Sequence, residues 1–426
     1  MIGRRLDPDD HALRDYLTRA AQPYEFHEAG SPAAIELLVR HGIAEPQLPV
    51  VVDGSDVYQG ASILTLVEAW DDHAPPARSH YDLAIVGAGP AGLAAAVYAA
   101  SDGLSTIVFE REIPGGQAGH TSMIENFFGF PEGIEGAALA RLAARQAQSF
   151  GAELQILRGI AKGTPDQAGV RFVTDDGIEV TATVAIGAPG MEWRRLEVEG
   201  VEELLGRGVY YGAGRSESVG CRGLDVVVVG AGNSAGQAVM SFAEANARVT
   251  MVVRGDALSR SMSAYLVTRI ERHPLIDVRL QSQVRALHGD ETRLRAVTIE
   301  DAAGALERLA TDALFLCIGG IPRTRWATGG AFAIDSAGYL LTGPDLLQDG
   351  RRPENWPLDR DPLALETSVP GIFAAGDVRH GSTKRVAGAV GDGAMAVALA
   401  ERRLEELTRP GGSPEPRRSA SPAAPR

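Results

Sequence analysis

Cysteine is almost absent: the 426 residues contain two, Cys221 and Cys317. They form neither a CxxC pair nor a metal-ligand spacing. On the fold argued below they flank opposite ends of the second nucleotide domain's strands. A five-residue strand separates its ends by about 15 Å, and a disulfide tolerates a Cα separation of about 7 Å. Both therefore read as inert small hydrophobes. Basic charge is also short, with 41 Lys and Arg against 55 Asp and Glu and a net charge of −14. That balance opposes a nucleic-acid groove or an anionic membrane as partner. The opening "MIGRRLDPDD" lacks the apolar core of a secretion signal, so the mature chain is expected to begin there and to be cytoplasmic. Only one apolar run, Leu83 to Ala100, is long enough to imitate a membrane span. Its "GAGPAG" centre divides it into a buried strand, a tight turn and a helix.

What is present suits two or three soluble domains, with 45% apolar residues. The segment "YDLAIVGAGPAGLAAAVYAASDGLSTIVFERE" is a β-turn-α-β unit. Gly87, Gly89 and Gly92 have the spacing G-x-G-x-x-G directly after an apolar strand. The first glycine permits the turn, the second lets backbone meet a pyrophosphate, and the third lets helix pack on strand. Pro90 and Ala91 complete the turn. Glu110 closes the next strand, where it can accept from ribose hydroxyls, and Arg111 follows it.

A second unit, "LDVVVVGAGNSAGQAVMSFAEANARVTMVVRGD", repeats this logic with Gly230, Gly232 and, at the third position, Ala235. Asn233 and Ser234 are candidates to offer polar groups to the pyrophosphate. The second strand ends at Arg254 where an NAD site would carry an acid, so an anionic 2′-phosphate is favoured and NADPH is the expected nucleotide. NADH remains open.

Two such units in this order resemble the thioredoxin reductases of the pyridine nucleotide-disulfide oxidoreductase superfamily. The resemblance runs from about residue 80 to 407. It implies FAD at the first unit, through Gly116, Gln117 and Asn126 in "PGGQAGHTSMIENFFGFP" and through Gly376 and Asp377 in "TSVPGIFAAGDV". Arg385, Val386 and Ala387 stand where the family has Arg-Gln-Ala, so any flavin contact there falls to the backbone. Of the family's arginine cluster for the 2′-phosphate, Arg254 remains and Arg260 lies one place off. The implied fold is α/β. A discontinuous FAD domain (81–193 and 320–407) encloses an NADPH domain (194–319), both Rossmann-like. A small thioredoxin-like α/β module (1–75) precedes them after a linker (76–80), and 408–426 reads as a disordered tail. The resemblance also implies a homodimer.

Where the family carries Tyr-Cys-Ala-x-Cys, this chain has Tyr211-Gly212-Ala213-Gly214-Arg215. The N-terminal segment resembles the glutaredoxin/thioredoxin fold, with Pro49 before its third strand. In place of Cys-Pro-x-Cys it has "DPDD", Asp7 to Asp10, and only Met1 to Gly3 remain for a first strand. Gly212 and Arg215 cannot form thiolates, which closes the dithiol route.

Three readings follow: hydride or electron exchange with a small organic substrate, free or carrier-bound; electron donation to a redox protein such as ferredoxin or flavodoxin; or a non-catalytic flavin or nucleotide sensor. Gly212 is expected to open space beside the flavin. His120, His380 and Lys384 are expected beside the ring, where a histidine could transfer a proton or steady reduced flavin's charge. Arg215 could bind an anionic substrate. "GAPGMEW" and "IGGIPRT" would be the hinges of a rotating NADPH domain.

Overall fold

The computed structural model describes residues 1–409 apart from 21, 71–73, 167–168, 214–217, 219, 291 and 328–329. Arg215 and the tail beyond 409 therefore lie outside the described residues.

Residues 1–70 form a small unit of β1 (Ile2–Gly3), α1 (Pro8–Arg19), β2 (His27–Glu28), α2 (Pro32–Arg40), β3 (Val50–Asp53), β4 (Asp56–Gln59) and α3 (Ile63–Ala69). Its sheet has the order β2-β1-β3-β4, with β1 parallel to β2 and antiparallel to β3. A cis Leu48–Pro49 bond leads into β3. "DPDD" starts α1: Asp7 caps it by accepting from the N–H groups of Asp9 and Asp10, and Pro8 occupies the first turn, where its missing donor costs nothing. Leu13, Tyr16 and Leu17 bury one side of α1 against Leu66, Val67 and Ile113.

The next unit is a seven-stranded sheet. Its path is β7-β6-β5-β10-β9-β8, drawn from β5 (His80–Val86), β6 (Thr106–Phe109), β7 (Glu153–Gln155), β8 (Ile160–Asp166), β9 (Gly169–Thr174) and β10 (Glu179–Gly187). Helices α4 (Pro90–Ser101) and α5 (Gly136–Ser149) cover it. The apolar run Leu83 to Ala100 is thus a strand and a helix, and no helix among the described residues is long and apolar enough to cross a membrane.

A short strand, β11 (Met191–Trp193), leads out of this unit. The chain then builds β12 (Val209–Tyr211), β13 (Asp225–Val229), α6 (Asn233–Glu244), β14 (Arg248–Val252), α7 (Ala264–Arg272) and β15 (Ile276–Arg279). After them come β16 (Gln283–Gly289), β17 (Leu294–Glu300), β18 (Leu306–Ala310) and β19 (Ala313–Leu316). A parallel sheet of order β12-β19-β13-β14-β15 results, with β16-β17-β18 as an antiparallel flap. Strand β20 (Gly320–Pro322) returns antiparallel to β11, so outgoing and incoming chain form one two-stranded ribbon.

Finally β21 (Ile372–Ala374) adds to β10, and α8 (Val386–Thr408) lies along α4. This helix pair is close because it is built from small residues: a Cβ on Gly393 would stand 2.2 Å from the Ala91 carbonyl oxygen.

Candidate functional site

The first glycine turn forms one end of a cleft of about 760 Å³. Gly87 has φ +102°, and a Cβ there would stand 2.3 Å from the Ala188 carbonyl, so only glycine fits. Gly89 caps α4 and has nothing within 4 Å of its missing side chain, which leaves its backbone open to the cleft. Gly92 lies beneath the wall. Its Cβ would fall 1.8 Å from the Gly87 oxygen, so helix and turn can meet only without it. Pro90, Ala91, Arg111, Gly116, Gln117 and Asn126 line the same cleft. Glu110 is buried, and its carboxylate accepts from the N–H groups of Ala88 (2.8 Å) and Glu112 (2.9 Å). Burial pushes its carboxyl above the usual range, and the two donors oppose that shift.

The far end of the chain supplies the opposite wall. Gly376, at φ +77°, donates its N–H to Asp392, and Asp377 faces the cleft. No described residue donates a hydrogen bond to the Asp377 carboxylate, and burial raises its pKa. Arg385 caps α8, and Val386 opens the helix at the cleft, so the unpaired backbone N–H groups of its first turn lie beside this wall. Ala387 is exposed and does not line the cleft. An open glycine turn, a helix start and a half-buried carboxylate that accepts from no described donor fit a bound dinucleotide.

The second glycine turn repeats the first. Gly230, at φ +149°, would place a Cβ 2.3 Å from the Cys317 carbonyl; Gly232 is open and caps α6; Ala235 is fully buried. Asn233, Ser234 and Gln237 sit on the wall of the large cleft, so the start of α6 looks into the space above the first unit. Asn233 also has a structural duty, since its Oδ1 accepts from Ser263 N–H at 2.8 Å. Arg254 is exposed just past β14, with no ion-pair partner among the described residues. Arg260 pairs with Asp256 at 2.6 Å, with both side chains exposed.

Residues 81–393 match the family model for pyridine nucleotide-disulphide oxidoreductases. The chain belongs to this family. The thioredoxin reductase of Bacillus subtilis (strain 168) is 34% identical over 328 residues, 77% of this chain and 96% of that protein. The thioredoxin reductase of Treponema pallidum (strain Nichols) is 35% identical over 331 residues, 78% and 99% of the two chains. Among solved structures, T. acidophilum thioredoxin reductase superposes with a TM-score of 0.67 at 28% identity, covering 78% of this chain and 100% of that one. Such reductases use FAD and NADPH. Residues 1–80 lie outside the family match.

Relative to this oxidoreductase frame, several expectations change. Gly212 does not leave an empty place. A Cβ there would lie 3.2 Å from Cζ2 of Trp193 and 3.6 Å from Cβ of His120, because the indole at the end of β11 fills the position. A smaller cavity of about 40 Å³ remains beside it, lined by Gln117, Ser122, Gly212, Ser234, Gln237 and Cys317 among others. The Ser122 hydroxyl is buried there without a hydrogen-bond partner. Neither cysteine forms a disulfide, both are buried, and burial pushes the Cys317 thiol up to about 12.

His120 packs edge-on against Trp193, with ring centroids 6.0 Å apart. Burial, with Arg19 and Arg323 opposing Asp15 and Glu112, lowers its pKa to about 4. At that value the ring is neutral at physiological pH. His380 does not line the cleft; its Nδ1 is 2.7 Å from Asp335. Lys384 does line it, but its ammonium donates to the Asp377 carbonyl (2.5 Å) and Ser382 (2.7 Å) and lies over the Tyr339 ring. Lys384 therefore positions the Asp377 loop. Trp193 is the residue that sequence reasoning missed: it reaches Gly212 only through the ribbon, and local pattern gives no sign of that.

Proposed function

We propose that the protein is a flavin-dependent NAD(P)H oxidoreductase of the thioredoxin reductase type in which no thiol carries electrons and a small organic molecule exchanges a hydride or electrons with the flavin. The observation that carries the reading is Trp193 seated over Gly212, where its relatives' family pattern has a cysteine. A dithiol position filled by an indole cannot relay electrons, and the thiol nearest to it, Cys317, is held protonated by burial.

Bound FAD would supply the hydride and electron chemistry between NADPH and an acceptor. The chain's own part is to hold and enclose. Gly89 and the start of α4 receive the FAD diphosphate, and Asp377 holds the polyol, with Lys384 fixing its loop. The first turn of α8 would offer backbone N–H groups to the flavin from the cleft wall. The start of α6 with Arg254 receives NADPH, whose 2′-phosphate finds there an arginine not taken by a carboxylate. NADH would lack that contact. Trp193 and neutral His120 exclude water from the ring face without adding charge.

Two measurements test the proposal. Anaerobic mixing with NADPH should bleach the flavin, and the Cys221→Ser/Cys317→Ser protein should retain NADPH oxidation with a small quinone; loss of turnover in that folded protein refutes the thiol-free route. Asp377→Ala should purify with most of its flavin lost, and full occupancy would remove Asp377 from the site.

A further inference from the structure

The proposed function leaves the N-terminal unit without a task. Pro8, His11, Asp15 and Arg19 follow one another at steps of three or four along α1, a single stripe turned away from that unit's own core. The stripe is docked. Pro8 Cα lies 2.9 Å from where a Cβ on Gly206 would stand, and the His11 ring lies 4.7 Å from that of Tyr210. Beside them Arg5 donates to the Gly220 carbonyl at 3.2 Å. Further along, Asp15 is 3.9 Å from Nδ1 of His120, and the buried Arg19 reaches Glu112 at 3.3 Å. The other oxygen of Glu112 is 3.6 Å from Arg323, the residue that follows β20. One helix thus touches both nucleotide units and, through Glu112, the end of the ribbon that joins them.

The location matters chemically. A disulfide reductase must bring its dithiol to the disulfide of its partner. In this chain Gly212 opens the segment that replaces the dithiol, and the segment that replaces a thioredoxin-type Cys-Pro-x-Cys is the start of α1. That start packs on Gly206, and the next turn of the helix on Tyr210, two residues before Gly212.

We infer that the N-terminal unit is a built-in, redox-inert occupant of the face on which a thioredoxin-like protein would dock, and that it holds the two nucleotide units in one orientation through the reaction cycle. No bond is made or broken at this contact and no electron crosses it. The inference rests on the proposed function in one respect: with the face occupied, the acceptor must enter by the cleft as a small molecule. It replaces the expectation of a rotating NADPH domain.

The test uses the full chain carrying Pro8→Cys and Gly206→Cys, whose Cβ positions lie 3.1 Å apart and must separate by about 0.5 Å to reach the disulfide range of about 3.5–4.5 Å. The bond should form in the folded protein, and the locked chain should oxidise NADPH with menadione within about twofold of the same chain after reduction and desalting. A fall of about tenfold on locking, reversed by reduction, overturns the inference. Because Gly206 has φ +73° and the double variant could fail to fold, hydrogen exchange on the unmodified sequence provides a second measurement. Protection of residues 8–19 and 206–213 should be unchanged during turnover, and Arg19→Gln should raise exchange in both segments by about tenfold while leaving β5 as it was. Opening of α1 during turnover, or an Arg19→Gln effect confined to α1, would refute docking. Absence of flavin bleaching by NADPH would sink the oxidoreductase reading and leave the exchange result standing.

Discussion

The two glycine turns solve one backbone problem and end in opposite chemistry. In each, the first glycine sits under a carbonyl from a neighbouring strand end, Ala188 in one and Cys317 in the other, at the same 2.3 Å from its missing Cβ. In each the second glycine is open. The third positions differ: Gly92 has no room for a methyl group, whereas Ala235 buries one completely. Beyond the next strand the first unit buries Glu110 and the second exposes Arg254. The backbone geometry is common to both turns, and the charge beyond the second strand is opposite, the difference that in dinucleotide folds distinguishes a ribose diol from a phosphate.

The strongest way to break this parallel is to exchange the third positions. Gly92→Ala puts a methyl group into backbone, for which side chains cannot compensate, and should cost at least the upper end of the about 1–3 kcal/mol typical of overpacking. Its flavin content, read from the ratio of 450 to 280 nm absorbance, should collapse. Ala235→Gly should cost about 1 kcal/mol of helix propensity and leave flavin content intact. Equal flavin loss in both would mean that the turns are not independent.

A smaller effect should separate the two arginines. Arg254→Ala should raise the KM for NADPH about ten- to a hundredfold, since one charge-assisted hydrogen bond is worth about 1.5–3 kcal/mol. The KM for NADH should stay within about twofold. Arg260→Ala should change neither, because Asp256 already holds that side chain. Parallel rises for both nucleotides in Arg254→Ala would assign it to the fold instead.

The smallest effect is expected where the turns are most alike. Cys317 occupies the place that Ala188 has in the first turn, so Cys317→Ala should cost no more than about 1 kcal/mol and leave turnover unchanged. With its thiol pushed up to about 12, Cys317 should also resist alkylation by N-ethylmaleimide at pH 8 in the folded protein. Rapid labelling, measured by mass spectrometry, would show that the cavity beside Gly212 opens.

How far the molecule was legible in its sequence depended on the range of each interaction. Gly87, Gly89, Gly92 and Glu110 could be read because a turn and the strand after it are local, and their roles follow from spacing. The Asp256–Arg260 pair could have been read as well, since four-residue spacing between opposite charges is a known local signal; attention to the arginine alone missed its acid. His380 was read as a site residue from its neighbours in sequence, but Asp335, its partner, is remote in the chain. Trp193 over Gly212 and the stripe of α1 on Tyr210 and Glu112 join residues from different units. Composition and periodicity carry no register for such contacts.

That helix carries its core side and its docking side within 12 residues, and this ties composition to length in an unequal way. A substitution on either side can be absorbed locally. One residue inserted between Leu13 and Asp15 would turn everything after it by about 100°, sending Arg19 away from Glu112 and Leu17 out of its pocket together. Variants that persist should therefore differ freely in the exposed letters of this segment and hardly at all in its count, so that in this part of the chain length is inherited more strictly than identity.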